Sequence, residues 1–186
     1  MNLATPERSV LLDVARHAIV EGLDHGHAWL PEQDGYAFSL REPGASFVTL
    51  TRAGELRGCR GMLEAVRPLV QDVAHNAYLT AFDDPRFPPV APLEFADLAI
   101  EISVLSALEW LAIGSEAELL ARLRPHVDGL VLQDGYERAT FLPKVWDKLP
   151  EPQEFVTHLK WKAGWPADYW SDTLRVYRYT TETFTQ

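Results

Sequence analysis

The chain has 186 residues, of which 47% are hydrophobic and 24% charged, and its formal net charge is −10 at pH 7. This length favours one domain, with room for two lobes, and the composition is that of a folded globular protein rather than a disordered chain. The negative charge disfavours nucleic acid as the main partner, because a protein whose whole surface binds phosphate backbones is usually basic.

The chain contains one cysteine, Cys59. An intrachain disulfide is therefore excluded, and so are a secreted disulfide scaffold and a metal cage built from several cysteines. No apolar run reaches the ~18 residues that a membrane-spanning helix needs. Residues 1–16 also lack the basic and apolar regions of a secretory signal. These features predict a reduced, cytoplasmic protein that makes no membrane contact.

The first predicted element is a helix over residues 6–23. Thr5 is expected to cap this helix, and Pro6 suits its first position. Apolar residues such as Leu11 and Ala18 recur at helical spacing, which predicts one buried face. Residues 31–45 are polar and contain several glycines and prolines, which indicates a loop.

A β-hairpin is predicted next. Residues 45–52 are rich in β-forming side chains, Ala53-Gly54 can form the turn, and residues 56–63 can return as the second strand. If the second strand is regular, alternate side chains share a face. One face would then carry Arg57, Cys59, Gly61 and Leu63, and the other Leu56, Gly58, Arg60 and Met62. A bulge at either glycine would change this assignment.

A second helix is predicted to open at Arg67-Pro68, with Leu69, Val73, Ala77 and Ala81 on one apolar stripe. Residues 83–89 contain three prolines and must be irregular. Residues 98–105 alternate in the manner of a half-buried strand, and its one acid is Glu101. Glu101 either faces water or, if it is covered, needs a cationic partner such as an arginine.

The remaining segments complete a mixed order of helices and strands. Residues 115–118 form a capping box, and Asp134-Gly135 lies between two β-rich runs as a hairpin signal. Residues 152–163 are typical of a helix that Gly164 closes, and residues 174–184 are rich in β-formers. This order predicts the α+β class, with mainly antiparallel sheet and flanking helices.

Residues 56–61, with the sequence LRGCRG, carry the strongest indication of chemistry. The thiol of Cys59 stands between Gly58 and Gly61 and between Arg57 and Arg60. Glycine allows close backbone approach to a ligand, and guanidinium groups favour a thiolate and attract carboxylates or phosphates. The alternative interpretation is structural: Cys59 is a small strand residue, and the glycines mark a bulge beside a neighbouring strand.

A nucleophilic cysteine usually needs a base. His158 on the late helix and His75 on the second helix are candidates for this base, and Glu101 is a candidate orienting acid. The spacing in the sequence brings none of them to Cys59, and a surface or interface position is the more ordinary interpretation of each histidine.

Two other polar clusters are weaker signals. His25 and His27 could ligate a metal, but the spacing fixes no third ligand, so we predict no metal site. Arg86, with Asp83 and Asp84, forms either a local salt-bridged turn or the rim of a cleft.

The LRGCRG segment resembles the hallmark L-R-G-C-I-G of the AMMECR-domain family, whose microbial members are called AmmeMemoRadiSam system protein A. Further blocks that resemble the family follow in the same order, at residues 47–50, 67–69, 81–82, 84–89, 101–106, 128–130, 138–143, 145–146, 158–160, 162–164 and 176–179. The resemblance covers about residues 45–180 and implies a single AMMECR-type domain over residues 1–186. Arg60 and Met62 depart from the family pattern, which has isoleucine and a small hydroxyl residue there. An arginine at the first position suggests that this side of the motif is not deeply buried or faces an anion.

The resemblance implies an α+β fold with a larger and a smaller lobe and a cleft near the motif. It also implies action with a Memo-type protein and a radical-SAM enzyme, and any radical cofactor would belong to that enzyme, because one cysteine cannot hold a four-iron cluster. The leading hypothesis is an enzyme or enzyme component that works through a covalent intermediate on Cys59. Arg57 would be the anion or thiolate partner, and His158 and Glu101 the weaker candidates for base and orienting acid.

In this hypothesis the ligand is bound by Gly58, Arg60, Gly61 and Arg86. A second hypothesis is a non-catalytic scaffold for the same partners. Exposed aromatic residues would then be interface anchors, unless they pack in the core. The candidates are Trp161, Trp165 and Trp170. A nucleic-acid-associated factor is the third hypothesis, and only the basic island at residues 52–67 favours it.

Overall fold

The computed structural model describes residues 3–186, which form two compact units. Unit 1 contains residues 3–105 and 182–186, and unit 2 contains residues 106–181. The larger and smaller lobes of the predicted α+β fold are thereby confirmed. None of the helices within residues 3–186 combines the length and the apolar character that a bilayer crossing requires.

Unit 1 is built on a four-stranded sheet with the strand order β10-β5-β2-β3, beside a small β1–β4 pair. Its elements are α1 (Thr5–His25), α2 (Phe38–Arg41), β1 (Pro43–Gly44), β2 (Ser46–Arg52), β3 (Glu55–Gly61), β4 (Arg67–Pro68), α3 (Leu69–Phe82), a 3-10 helix (Pro92–Asp97), β5 (Leu98–Leu105) and most of β10 (Thr181–Thr185). Strand β2 pairs antiparallel with both β3 and β5.

Helices α1 and α3 pack on the apolar side of this sheet and form the hydrophobic core of unit 1 with it. Val48 and Leu50 on β2 and Ile100 and Ile102 on β5 are fully or almost fully buried and belong to the same cluster as the buried stripes of α1 and α3. The residues that alternate with them point to the opposite face, and those of β2, such as Thr49, are half-buried. The sheet therefore has one apolar face under the helices and one polar face.

Helix α1 begins one residue earlier than predicted, at Thr5. Thr5 is the first helical residue and Ala4 holds the cap position, so the predicted role of Thr5 is wrong. The carboxylate of Glu7 accepts a hydrogen bond of 2.6 Å from the Ala4 N–H, which satisfies a donor at the helix start without a hydroxyl cap. Residues 31–45, predicted as loop, contain the short elements α2 and β1.

Unit 2 contains a second antiparallel sheet with the order β6-β9-β7-β8. Its elements are β6 (Glu109–Leu111), α4 (Glu116–Arg122), β7 (Gly129–Asp134), β8 (Glu137–Phe141), a 3-10 helix (Pro143–Asp147), α5 (Pro152–Lys162) and β9 (Arg175–Tyr179). The core is centred on Trp146, whose indole stacks on the Phe155 ring with a centroid distance of 3.8 Å.

The hairpin in unit 2 turns one residue later than predicted. Asp134 pairs with Glu137, so the two turn residues are Gly135 and Tyr136, and Gly135 takes the positive φ of 58°. Two other local predictions are confirmed. Ser115 accepts a hydrogen bond from the Glu118 N–H at the start of α4, and α5 ends before Gly164, whose φ is 82°.

Candidate functional site

A bulge in β3 decides which side chains accompany Cys59. Cys59 pairs with Thr49 and Gly58 with Leu50, but the next pair is Leu56 with Thr51, so Arg57 is an extra residue in the ladder. Residues paired across strands share a face, and Leu56 therefore lies on the same face as Cys59. The regular alternation that the sequence predicts, with Leu56 and Cys59 on opposite faces, is wrong.

Cys59 lies half-buried on the polar face of the unit 1 sheet. Its Sγ accepts a hydrogen bond from Thr49 Oγ1 at 3.4 Å. Thr49 pairs on its other side with Glu101 of β5, so these three residues form one row across three strands. Adjacent strands are about 4.8 Å apart, which places the backbones of Cys59 and Glu101 about 10 Å apart. The neighbour of the thiol in this row is thus the Thr49 hydroxyl.

An ion pair occupies the outer edge of β3 at Cys59. The Cys59 N–H donates to Asp84 Oδ2 at 2.9 Å, and Arg86 Nη2 donates to the Cys59 carbonyl at 3.1 Å. The side chains of Arg86 and Asp84 are joined by two further hydrogen bonds, Nε to Oδ1 at 2.9 Å and Nη2 to Oδ2 at 2.6 Å. Of the two alternatives for these residues, the salt-bridged turn is present between Asp84 and Arg86, and these two side chains bind both backbone groups of Cys59.

The electrostatics of the site centre on this pair. The hydrogen bond from Arg86 holds the pKa of Asp84 far below its ordinary range, with help from the Cys59 and Arg86 backbone N–H groups, so Asp84 is a carboxylate. The pKa of Arg86 is raised, chiefly by its hydrogen bond to Asp84, and the charge of a Cys59 thiolate adds to this rise. Arg86 is therefore a permanent cation within the electrostatic reach of the thiol.

Arg57, predicted to be the partner of the thiol, binds elsewhere. Its Nε and Nη2 donate to the Glu94 carboxylate at 3.1 and 2.7 Å, and Nη2 also donates to the Pro88 carbonyl at 2.9 Å. These bonds lower the pKa of Glu94. A direct action of Arg57 on Cys59 stays a prediction.

Arg60 and the two glycines also have defined neighbours. The side chain of Arg60 is 38% exposed, as expected for an arginine at this motif position, and reaches Asp83 at 3.7 Å. A Cβ on Gly58 would lie 2.6 Å from the Thr80 carbonyl of α3, and one on Gly61 would lie 2.3 Å from the Phe47 ring. Close packing accounts for both glycines, and their role in ligand binding stays a prediction.

The histidines proposed as bases lie on two different helices. His158 is on α5 in unit 2, where its ring contacts Trp161 at a centroid distance of 4.6 Å. His75 is on α3 in unit 1, and burial, followed by the charge of Arg67, lowers its pKa. Within residues 3–186, no three side chains of His, Cys, Asp or Glu converge into a metal-binding group.

Sequence reasoning missed two residues that contact Cys59. Thr49 is predicted only as a β-former, because a regular hairpin register around the Ala53-Gly54 turn would pair it with Gly58, and only the bulge at Arg57 brings it opposite Cys59. Asp84 is predicted to lie in a local turn or at the rim of a cleft, and its bond to the Cys59 N–H has no signal in the sequence because the two residues are 25 positions apart.

Comparisons with known proteins identify the family and the fold of the chain. The family model AMMECR1 matches residues 12–184. A protein of Methanothermobacter thermautotrophicus is 38% identical over 188 residues, which cover 98% of this chain and 95% of that protein. The crystal structure of the uncharacterized protein PH0010 from Pyrococcus horikoshii superposes with a TM-score of 0.91 at 34% identity and covers 99% of this chain and 93% of its own. The chain therefore belongs to the AMMECR1 family.

Proposed function

We propose that this protein is an enzyme, or a component of one, that uses Cys59 as a nucleophile. The observation that carries the proposal is the setting of the thiol. Cys59 is half-buried, its Sγ accepts a hydrogen bond from Thr49, and the Arg86 cation contacts its backbone carbonyl. Hydroxyl donors and nearby cations stabilise a thiolate, which is the nucleophilic form of cysteine. A free thiol of this kind belongs in a reducing compartment such as the cytoplasm.

The reaction class that fits is group transfer or hydrolysis at an acyl carbon. The Cys59 thiolate forms a bond to the acyl carbon, and the leaving group departs with the electron pair of its broken bond and takes a proton from the solvent. Water, or another acceptor that loses a proton, then attacks the thioester, and the thiolate is released. The exposed side of Arg86 can attract a carboxylate or phosphate group of the substrate.

The test is the pH dependence of alkylation by iodoacetamide, followed by intact mass. Because the chain has one cysteine, every adduct reports Cys59. We expect Arg86→Gln to slow the reaction at pH 7 by about threefold to tenfold, because removing one nearby cation disfavours the thiolate. Thr49→Val should slow the reaction in the same direction.

The control is Arg124→Gln in unit 2. Arg124 forms an ion pair with Asp128 at 2.6 Å that matches the Arg86–Asp84 pair in length and exposure, and it lies in unit 2 rather than in the unit of Cys59. Equal alkylation of the wild type, Arg86→Gln and the control would contradict an activated thiol. A fully active Cys59→Ala protein in a cellular complementation assay would contradict a catalytic one.

A scaffold for a Memo-type protein and a radical-SAM enzyme is the second candidate. Trp161 on α5 favours it, because this indole is 54% exposed whereas Trp165 and Trp170 pack against the core of unit 2. Exposed tryptophans are common anchors of interfaces. Co-purification of the two partners that Trp161→Ala abolishes and Cys59→Ala leaves intact would support docking without chemistry.

A further inference from the structure

β3 is an edge strand at the point where it carries the thiol. It is the outer member of the β10-β5-β2-β3 order, so one side of its backbone has no strand partner in that sheet. At Cys59 this side is occupied by side chains, since Asp84 accepts from the N–H and Arg86 donates to the carbonyl. The Asp84–Arg86 pair thus satisfies one donor and one acceptor, as a neighbouring strand would.

This arrangement matters more at Cys59 than at a regular strand position. The bulge at Arg57 interrupts the ladder two residues before the thiol, and β3 ends two residues after it at Gly61. A short edge segment beside a bulge has few backbone hydrogen bonds to hold it. The hydrogen bonds that join the Cys59 backbone to Asp84 and Arg86 are charge-assisted, and the Asp84 carboxylate is only 2% exposed.

We propose that Asp84 is the positioning residue of Cys59. By holding the Cys59 N–H and orienting Arg86 against the carbonyl, Asp84 fixes the backbone of the thiol residue and directs Sγ toward Thr49. This positioning matters only if Cys59 is the nucleophile of the proposed function, on which the inference rests, because a nucleophile needs a fixed direction of attack. Asp84 itself touches no reacting atom in this role.

The test uses the full-length protein and two substitutions at Asp84. Asp84→Ala removes the acceptor of the Cys59 N–H, whereas Asp84→Asn keeps an oxygen acceptor but loses the charge. Two quantities are measured by NMR: the hydrogen-exchange rate of the Cys59 amide, and the Hα–Hβ couplings that report the rotamer of its side chain. Asp128→Ala is the matched control, since Asp128 is a buried carboxylate bound in the same way by Arg124 in unit 2.

We expect the amide hydrogen of Cys59 to exchange at least about tenfold faster in Asp84→Ala than in the wild type, because a charge-assisted hydrogen bond is lost. In this variant the Hα–Hβ couplings of Cys59 should be averaged over several side-chain rotamers, whereas those of the wild type should report a single rotamer. The exchange rate and couplings of Asp84→Asn should lie between those of the wild type and Asp84→Ala. This variant keeps the test valid if the alanine variant does not fold. Asp128→Ala should leave both quantities at Cys59 unchanged.

Exchange within about twofold of the wild type and one retained rotamer in both Asp84 variants would overturn the assignment, since loss of a hydrogen bond to a carboxylate should be visible. An equal response to Asp128→Ala would overturn it as well, because the effect would then be one of general stability. Neither measurement uses the reactivity of the thiol, so the result is separate from the outcome of the alkylation and complementation experiments.

Discussion

Asp72 on α3 is predicted to make the stability of the protein fall as the pH rises from 4 to 6. Its side chain is fully buried, and one oxygen, Oδ2, accepts from the Ser46 N–H at 2.8 Å, the Ser46 hydroxyl at 2.7 Å and Asn76 Nδ2 at 2.9 Å. Oδ1 has no hydrogen-bond partner among the described residues, and the cation facing it, Arg67, has its Nε 3.8 Å away. Burial outweighs these bonds and raises the pKa of Asp72 to about 6.

Stability falls with rising pH because the Asp72 carboxyl binds its proton more tightly in the folded state than in the unfolded state. Below the unfolded pKa of Asp72, near 3.8, the carboxyl is protonated in both states and its contribution to stability is fully present. As the pH rises through the folded value of about 6, the folded protein must hold a buried charge and this contribution is lost. The gap between the two values corresponds to about 3 kcal/mol, at roughly 1.4 kcal/mol per pH unit.

The assay is urea unfolding of the wild type and Asp72→Asn at intervals between pH 4 and pH 7.5. Asparagine has nearly the same shape and cannot ionise, so the free energy of unfolding of the variant minus that of the wild type isolates this group from the other carboxyls. We expect this difference to increase with pH by about 3 kcal/mol and to level off above pH 6.5. A difference that stays constant over this range, or that decreases, would show that Asp72 is not a strained buried carboxylate.

Two substitutions test the packing of the two units in the same unfolding assay. Gly58→Ala should lower the free energy of unfolding by about 1–3 kcal/mol, because the new Cβ would lie 2.6 Å from the Thr80 carbonyl. The control is Gly114→Ala, which should be near neutral because its Cβ would meet no described atom within 4 Å. Lys160→Met should cost about 3 kcal/mol, because the fully buried ammonium donates to Glu116 at 2.6 Å and its loss leaves that carboxylate without its cation. Adding Glu116→Gln to Lys160→Met should recover part of the loss, and an additive second loss would contradict a paired role.

Local patterns in the sequence predicted the helices and strands that depend on local energetics. The stripe of α3 is buried as its spacing indicates, because a helix with one apolar face has one stable way to cover a sheet. The turn of the unit 2 hairpin lies one residue later than predicted, with Gly135 at its first position, where a positive φ suits glycine. The Asp134 carboxylate, at the end of β7, accepts hydrogen bonds from the hydroxyls of Tyr169 and Thr173, which no local pattern connects to the turn.

The candidate site was predictable in its centre and not in its contacts. The LRGCRG motif identifies Cys59 because composition singles out the one thiol of the chain. The groups that touch it depend on the β2–β3 register and on the path of residues 83–89, and neither is encoded in a short window. A one-residue bulge is invisible to alternation, yet it changes the face assigned to every residue before it.

The bulge also explains why Arg57, two residues before the thiol in sequence, is not the arginine next to it in space. Arg57, the extra residue, leaves the ladder and binds the Pro88 carbonyl and Glu94, and its guanidinium lies 5.9 Å from the Phe87 ring. Arg86 lies 5.5 Å from the same ring. Arg57 therefore contacts Phe87 and Pro88 of the segment that carries Arg86, and it is Arg86 that brings a guanidinium to the backbone of Cys59.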